Sequence, residues 1–131
     1  MALTEGSRKI VAGWPIGGFP MECAETIKCG DLLAISSAGE LVPVDSDDGE
    51  QARLIAGKSG EDGDFIPCYV GAIVEGFTGC TEAAAIYPSI TAGQYTETAD
   101  TTGSDTNTII GYALTETMIL AIPGMRADST A

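Results

Sequence analysis

From Gly30 onward the chain reads as short runs rich in Val, Ile, Leu and Tyr, each closed by a cluster of Gly, Asp, Ser or Pro. Apolar runs of four to seven residues with that punctuation predict strands. Nine are predicted, over residues 32–35, 40–44, 53–57, 65–70, 72–77, 85–88, 94–98, 108–114 and 118–122. Turn-forming residues separate most of them, among them Ser37-Ala38-Gly39, residues 45–49, residues 59–64, Thr91-Ala92-Gly93 and residues 101–107, so hairpins and meanders are the expected connections. Pro43 and Pro67 fall inside runs, where each removes a ladder donor, which predicts an edge strand or a bulge at both places. Gly or Pro interrupts nearly every helix-length window. Only residues 78–84, with Thr81 as a cap and Glu82 in the first turn, offer a turn or two of helix.

Residues 1–21 have a different texture. Ile10, Val11, Trp14, Ile16 and Phe19 are set among Gly6, Gly13, Pro15, Gly17, Gly18 and Pro20 with the period of neither a helix nor a strand, which predicts an extended arm. Leaving such side chains in water forgoes about 1.5–3 kcal/mol for each large one that could be buried. The arm is therefore expected to be a binding element ordered against a neighbouring molecule, with an irregular cover over its own domain as the alternative. Residues 125–131 are small and polar and read as a flexible C-terminal tail. The expected architecture is all-β: a β-barrel or tulip-like sandwich over residues 22–124, carrying the arm and little helix.

Composition narrows what such a domain does. Its 131 residues make one domain the natural expectation, and 44% hydrophobic against 19% charged residues is enough for a core. The longest apolar runs are too short to span a bilayer, and the first residues lack the pattern of a secretory leader, so a soluble protein is expected. Nineteen acidic residues against six basic ones give a net charge of −13, which repels phosphate backbones and anionic lipid. The six cations, Arg8, Lys9, Lys28, Arg53, Lys58 and Arg126, are scattered along the sequence, so neither nucleic acid nor membrane is an expected partner.

The chain has no histidine, which removes Ser-His-Asp and Cys-His nucleophile systems and the usual neutral-pH base. No phosphate-binding loop or dinucleotide fingerprint occurs. A glycosidase would need two carboxylates converging across a cleft, with an aromatic platform that eight aromatic residues hardly supply. No enzyme activity and no cofactor are expected. Cys23, Cys29, Cys68 and Cys80 have no zinc-site spacing and read as reduced, buried small hydrophobes. The acidic run 45–50 resembles a calcium loop but fails on register, because Gly49 falls fifth and Ala56 twelfth where oxygen ligands belong. That run and Glu61-Asp62-Gly63-Asp64 are expected to be solvated turns, with no metal site.

One stretch is more particular. Val70-Gly71-Ala72-Ile73-Val74-Glu75-Gly76-Phe77-Thr78 leads through a turn to Ile86-Tyr87, then to a Gly- and Thr-rich hairpin, then to Ile109-Ile110-Gly111-Tyr112-Ala113-Leu114-Thr115 and Met118-Ile119-Leu120. This order resembles the small decoration, or cement, proteins of tailed-bacteriophage capsids over roughly residues 30–123. The resemblance implies a non-catalytic structural virion protein, commonly a homotrimer, made in the host cytoplasm and seated on the outer capsid surface. There it would stabilise the shell by bridging subunits of the major capsid protein. Ile10, Val11, Trp14, Ile16 and Phe19 then become the expected capsid or subunit contacts. The net charge fits the exterior, since inside the shell it would face packaged nucleic acid. A carbohydrate- or receptor-binding β-module on a virion or cell surface is the alternative.

Overall fold

The computed structural model describes residues 4–103 and 105–131. Eleven strands form two antiparallel sheets. The first is a curled half-barrel of six strands in the order β1 (Thr4–Trp14), β7 (Gly71–Thr78), β11 (Met118–Ala121), β10 (Gly111–Ala113), β8 (Ala85–Pro88) and β9 (Tyr95–Thr96). The second has five, ordered β2 (Phe19–Glu22), β6 (Phe65–Tyr69), β5 (Leu54–Ala56), β3 (Leu32–Ile35) and β4 (Leu41–Pro43). All nine strands expected from the sequence are present, so the all-β class stands. Among the described residues no helix is long and apolar enough to cross a membrane.

The main core lies between the sheets. Leu32, Val44 and Ile55 meet Val74, Ile86, Ile110 and Ile119, and the rings of Phe77 and Tyr95 pack edge to face with centroids 5.2 Å apart. The Tyr95 hydroxyl, buried with its ring, donates to the Gly30 carbonyl at 2.6 Å. A second core built from Leu33, Leu41, Leu54, Ile66, Cys23 and Cys68 covers the other face of the smaller sheet. Leu32 and its neighbour Leu33 are thus buried on opposite faces. A strand covered on both faces needs a continuous apolar run, not an alternating one, and 32–35 and 54–56 have one.

Residues 4–21 do not form the arm expected of residues 1–21; the first three lie outside the described residues. β1 zips along β7 from Thr4↔Thr78 to Trp14↔Gly71, and β2 zips along β6 from Phe19↔Cys68 to Glu22↔Phe65. The segment belongs to its own domain, joining one sheet to the other through a turn in which the Gly18 N–H donates to the Pro15 carbonyl. Register shifts between Glu5 and Lys9 and between Ile10 and Ala12 explain why no strand period showed. A bulge inserts an unpaired residue and resets the alternation.

Smaller differences have equally local causes. The helix expected over residues 78–84 is instead the end of β7 and a turn over residues 79–84, because Gly79 and Ala83 take left-handed backbone angles (φ +81° and +65°) and Glu97 holds the Thr81 amide and hydroxyl. The helical content described is one 3-10 turn, Ser46–Asp48, capped by the Asp45 carboxylate. Pro43 does lie on an edge strand, but Pro67 sits in the interior strand β6. It is tolerated there because it faces Pro20 on one side, and on the other its carbonyl accepts from Gly57 just beyond the end of β5. The tail, expected to be loose, is tied down: Asp128 pairs with Arg53, Ser129 bonds Thr108 and Asn107, and Thr130 bridges to Thr106. Short polar residues supplied the partners that apolar ones could not.

Candidate functional site

β1 ends the strand order of the larger sheet, and its position is fixed by one buried charge. Arg8 reaches from β1 to the Asp31 carboxylate, which precedes β3, and also donates to the Gly93 carbonyl at 3.1 Å. The Arg8 and Asp31 side chains are only 5% and 7% exposed. Asp31 Oδ2 accepts a further bond from the Lys28 amide at 2.9 Å. Burial pushes the Asp31 carboxyl up, against the Lys28 amide and the Arg8 charge, which pull it down. Gly93, with φ +79°, makes the approach possible, since a Cβ there would stand 2.6 Å from Asp31.

With β1 anchored, the five apolar residues expected to form the contact surface separate into two groups. Ile10 packs against the main core and Phe19 against the second, so these two are not available contacts. Val11, Trp14 and Ile16 are 52%, 48% and 94% exposed. They line a groove of about 700 Å³ together with Cys29, Gly57 and Tyr69. The Tyr69 ring lies over Gly13, where a Cβ would come within 2.5 Å of it. This glycine, which made the segment look irregular in sequence, lets strand and ring close the floor of the groove.

The cations also prove less scattered than their sequence positions suggest. Arg8 and Cys29 line both this groove and an adjoining one that includes Lys28 and Ser59. Lys9 lines the first groove, and Lys58 sits between Gly57 of the first and Ser59 of the second. All three lysines of the chain are exposed around this pair of grooves. Acids are interleaved with them: Asp31 is paired with Arg8, Glu75 stands opposite Lys9 across the β1–β7 ladder, and Glu61, which accepts from the Thr26 hydroxyl, follows Lys58 by three residues.

Near β9 the charge reverses. The turn at residues 45–50 meets the segments at residues 98–103 and Asp105, and Asp47, Asp100 and Asp105 bring one carboxylate oxygen each within 4.8 Å of the others. This trio spans two segments far apart in the chain, so no contiguous acidic run in the sequence announces it. It is the set of described carboxylates able to face a hard cation together. Backbone donation from Thr102 holds Asp100 below the usual carboxylate range. Partial desolvation, helped by the hydrogen bond and charge of Asp100 and by Asp47, pushes Asp105 up to about 6.

A folded-state pKa above the ordinary carboxylate value near 3.9 means that the native protein holds a proton the unfolded chain has released. The resulting stability is present at low pH and is lost as pH rises through about 6. Thermal unfolding followed by circular dichroism should therefore show a higher melting temperature at pH 5 than at pH 7. Asp105→Asn should shrink the difference, and an equal difference in that variant would contradict the assignment.

Burial raises the Cys23 and Cys29 thiols and takes Cys68 up to about 11, so these three are protonated near neutrality. What the molecule presents is an apolar strip beside lysines along β1 and an acidic lobe near β9, both suited to contact. Comparison with known protein families, with curated proteins and with solved structures finds no match.

Proposed function

We propose that the protein is a non-catalytic structural component of a virion, a homotrimer that decorates the outer surface of a tailed-bacteriophage capsid and stabilises it by bridging major capsid subunits. The observation that carries this reading is the strip of Val11, Trp14 and Ile16 on a strand anchored by a buried ion pair. Large apolar side chains held on a rigid edge are a contact surface. Burying them on a partner is worth about 1.5–3 kcal/mol each. A clamp needs no chemistry beyond this: it stabilises the shell by binding the assembled lattice better than its dissociated parts. The net charge of −13 keeps decorated particles apart and suits the outside of the shell. The carbohydrate-binding alternative is served less well. Trp14 and Tyr69 line the groove, but its rim carries lysines and the acidic lobe lies elsewhere.

The surface can be tested without disturbing the fold. Trp14→Ser combined with Ile16→Ser should keep the fold at a cost of about 1–2 kcal/mol, because Ile16 is almost wholly exposed and Trp14 about half. The same variant should bind capsid particles at least about tenfold more weakly, as expected for losing two apolar anchors. Unchanged particle affinity would remove the strip from the interface.

A further inference from the structure

The larger sheet is electrostatically polar along its strand order. At one end, beside β1, stand Lys9, Lys28 and Lys58. At the other, beside β9, stand Asp45, Asp47, Asp48, Glu50, Asp100 and Asp105, gathered where the turn at residues 45–50 meets residues 98–103 and Asp105. Each end also offers an exposed apolar residue at its centre. The lysine-rimmed groove has Trp14 and Ile16 on its wall, and the acidic lobe has Ile90, which is 60% exposed, in its lining.

A chain with a net charge of −13 repels its own copies in every orientation except those that bring unlike patches together. We propose that the protein self-associates head to tail, the lysine-rimmed groove along β1 of one copy receiving the acidic lobe beside β9 of the next. The contact is heterologous, joining two different patches, and a heterologous contact whose rotation closes generates a ring. Complementary charge sets the register and the speed of encounter, while Trp14, Ile16 and Ile90 supply the apolar burial. The proposal rests on the reading of the β1 surface as a contact surface and assigns that surface to a neighbouring copy, so that the loss of capsid binding expected for the Trp14, Ile16 variant follows from loss of the oligomer that bridges capsid subunits.

Charge reversal tests it with residues that are exposed. The double variant Lys9→Glu, Lys58→Glu removes the rim, and the double variant Asp47→Lys, Asp48→Lys removes part of the lobe. Circular dichroism melts of each pair establish that the monomers still fold. By analytical ultracentrifugation the wild type should sediment as a closed oligomer at about 0.05 M salt and dissociate toward monomer near 0.5 M, as screening shortens the reach of the charges. Each double variant alone should associate at least about tenfold more weakly. Mixed together they should form a heteromeric contact, because the reversed, acidic rim of one attracts the reversed, basic lobe of the other, and the intact lobe of the first still meets the intact rim of the second. A wild type that stays monomeric at low salt, or an oligomer indifferent to both variants, would overturn the proposal. Particle binding separates it from the functional reading: an oligomer that ignores capsids leaves this contact standing and removes the capsid role, whereas capsid binding by a strict monomer does the reverse.

Discussion

Replacing Arg8 by alanine is expected to cost about 3–5 kcal/mol of folding stability, the penalty for removing one member of a buried ion pair. The reason is what remains. Asp31 would keep its burial and the Lys28 amide but lose the charge that compensates it. Arg8 also joins three parts of the fold: its own strand β1, the entry to β3 at Asp31, and the hairpin before β9 at Gly93. Two glycines are shaped around it, since a Cβ on Gly30 would stand 2.9 Å from the Arg8 Cβ and one on Gly93 would strike Asp31. Urea unfolding, followed through the fluorescence of the single tryptophan, measures the loss. The Asp31→Ala variant should be similarly damaged, and the double variant should cost less than the sum of the two, because the second removal strands no charge. A loss under about 1 kcal/mol for Arg8→Ala would mean that β1 is held by its ladder alone.

Gly111→Ala is expected to reach or exceed the upper end of the roughly 1–3 kcal/mol range for overpacking. Gly111 lies in β10 between β11 and β8, and a Cβ there would fall 1.9 Å from the Leu120 carbonyl oxygen and 3.0 Å from the Ala121 Cα. Those atoms are backbone of the neighbouring strand and cannot swing aside, so the β10–β11 ladder must open. Gly124→Ala is the control, with nothing nearer than the Arg53 carbonyl at 3.5 Å, and should change stability by less than about 0.5 kcal/mol. Equal effects at the two positions would contradict the packing described for β10.

These residues also show how much a sequence discloses. The strands from Leu32 onward were legible because burial on both faces, or alternation with Gly- and Asp-rich turns, wrote itself into the pattern of residues. Two of them, Leu32–Ile35 and Ala85–Pro88, begin and end where the pattern puts them. β1 was not legible, because two bulges break its period and Gly13 is kept small by the Tyr69 ring, a contact between residues far apart in the chain. Ile10 and Phe19 looked like Val11, Trp14 and Ile16 for the same reason: only pairing with β7 and β6 decides which side chains turn inward. The lysines at 9, 28 and 58 and the acids at 47, 100 and 105 are far apart in sequence, so neither the basic rim nor the acidic cluster had any local signature. Charge patterns within one element can be read from a sequence. Those assembled by tertiary structure cannot.

The domain is proposed as a clamp for an assembled capsid, carried on the outside. The decisive experiment produces it together with the major capsid protein of the phage proposed to carry it and purifies intact particles by density gradient. The protein is expected to migrate with the particles, to be absent from the pool of unassembled capsid subunits, and to be labelled from outside by a membrane-impermeant reagent while the particles remain closed. A protein that stays at the top of the gradient, or one that is retained but reached by neither label nor protease, would contradict the proposal.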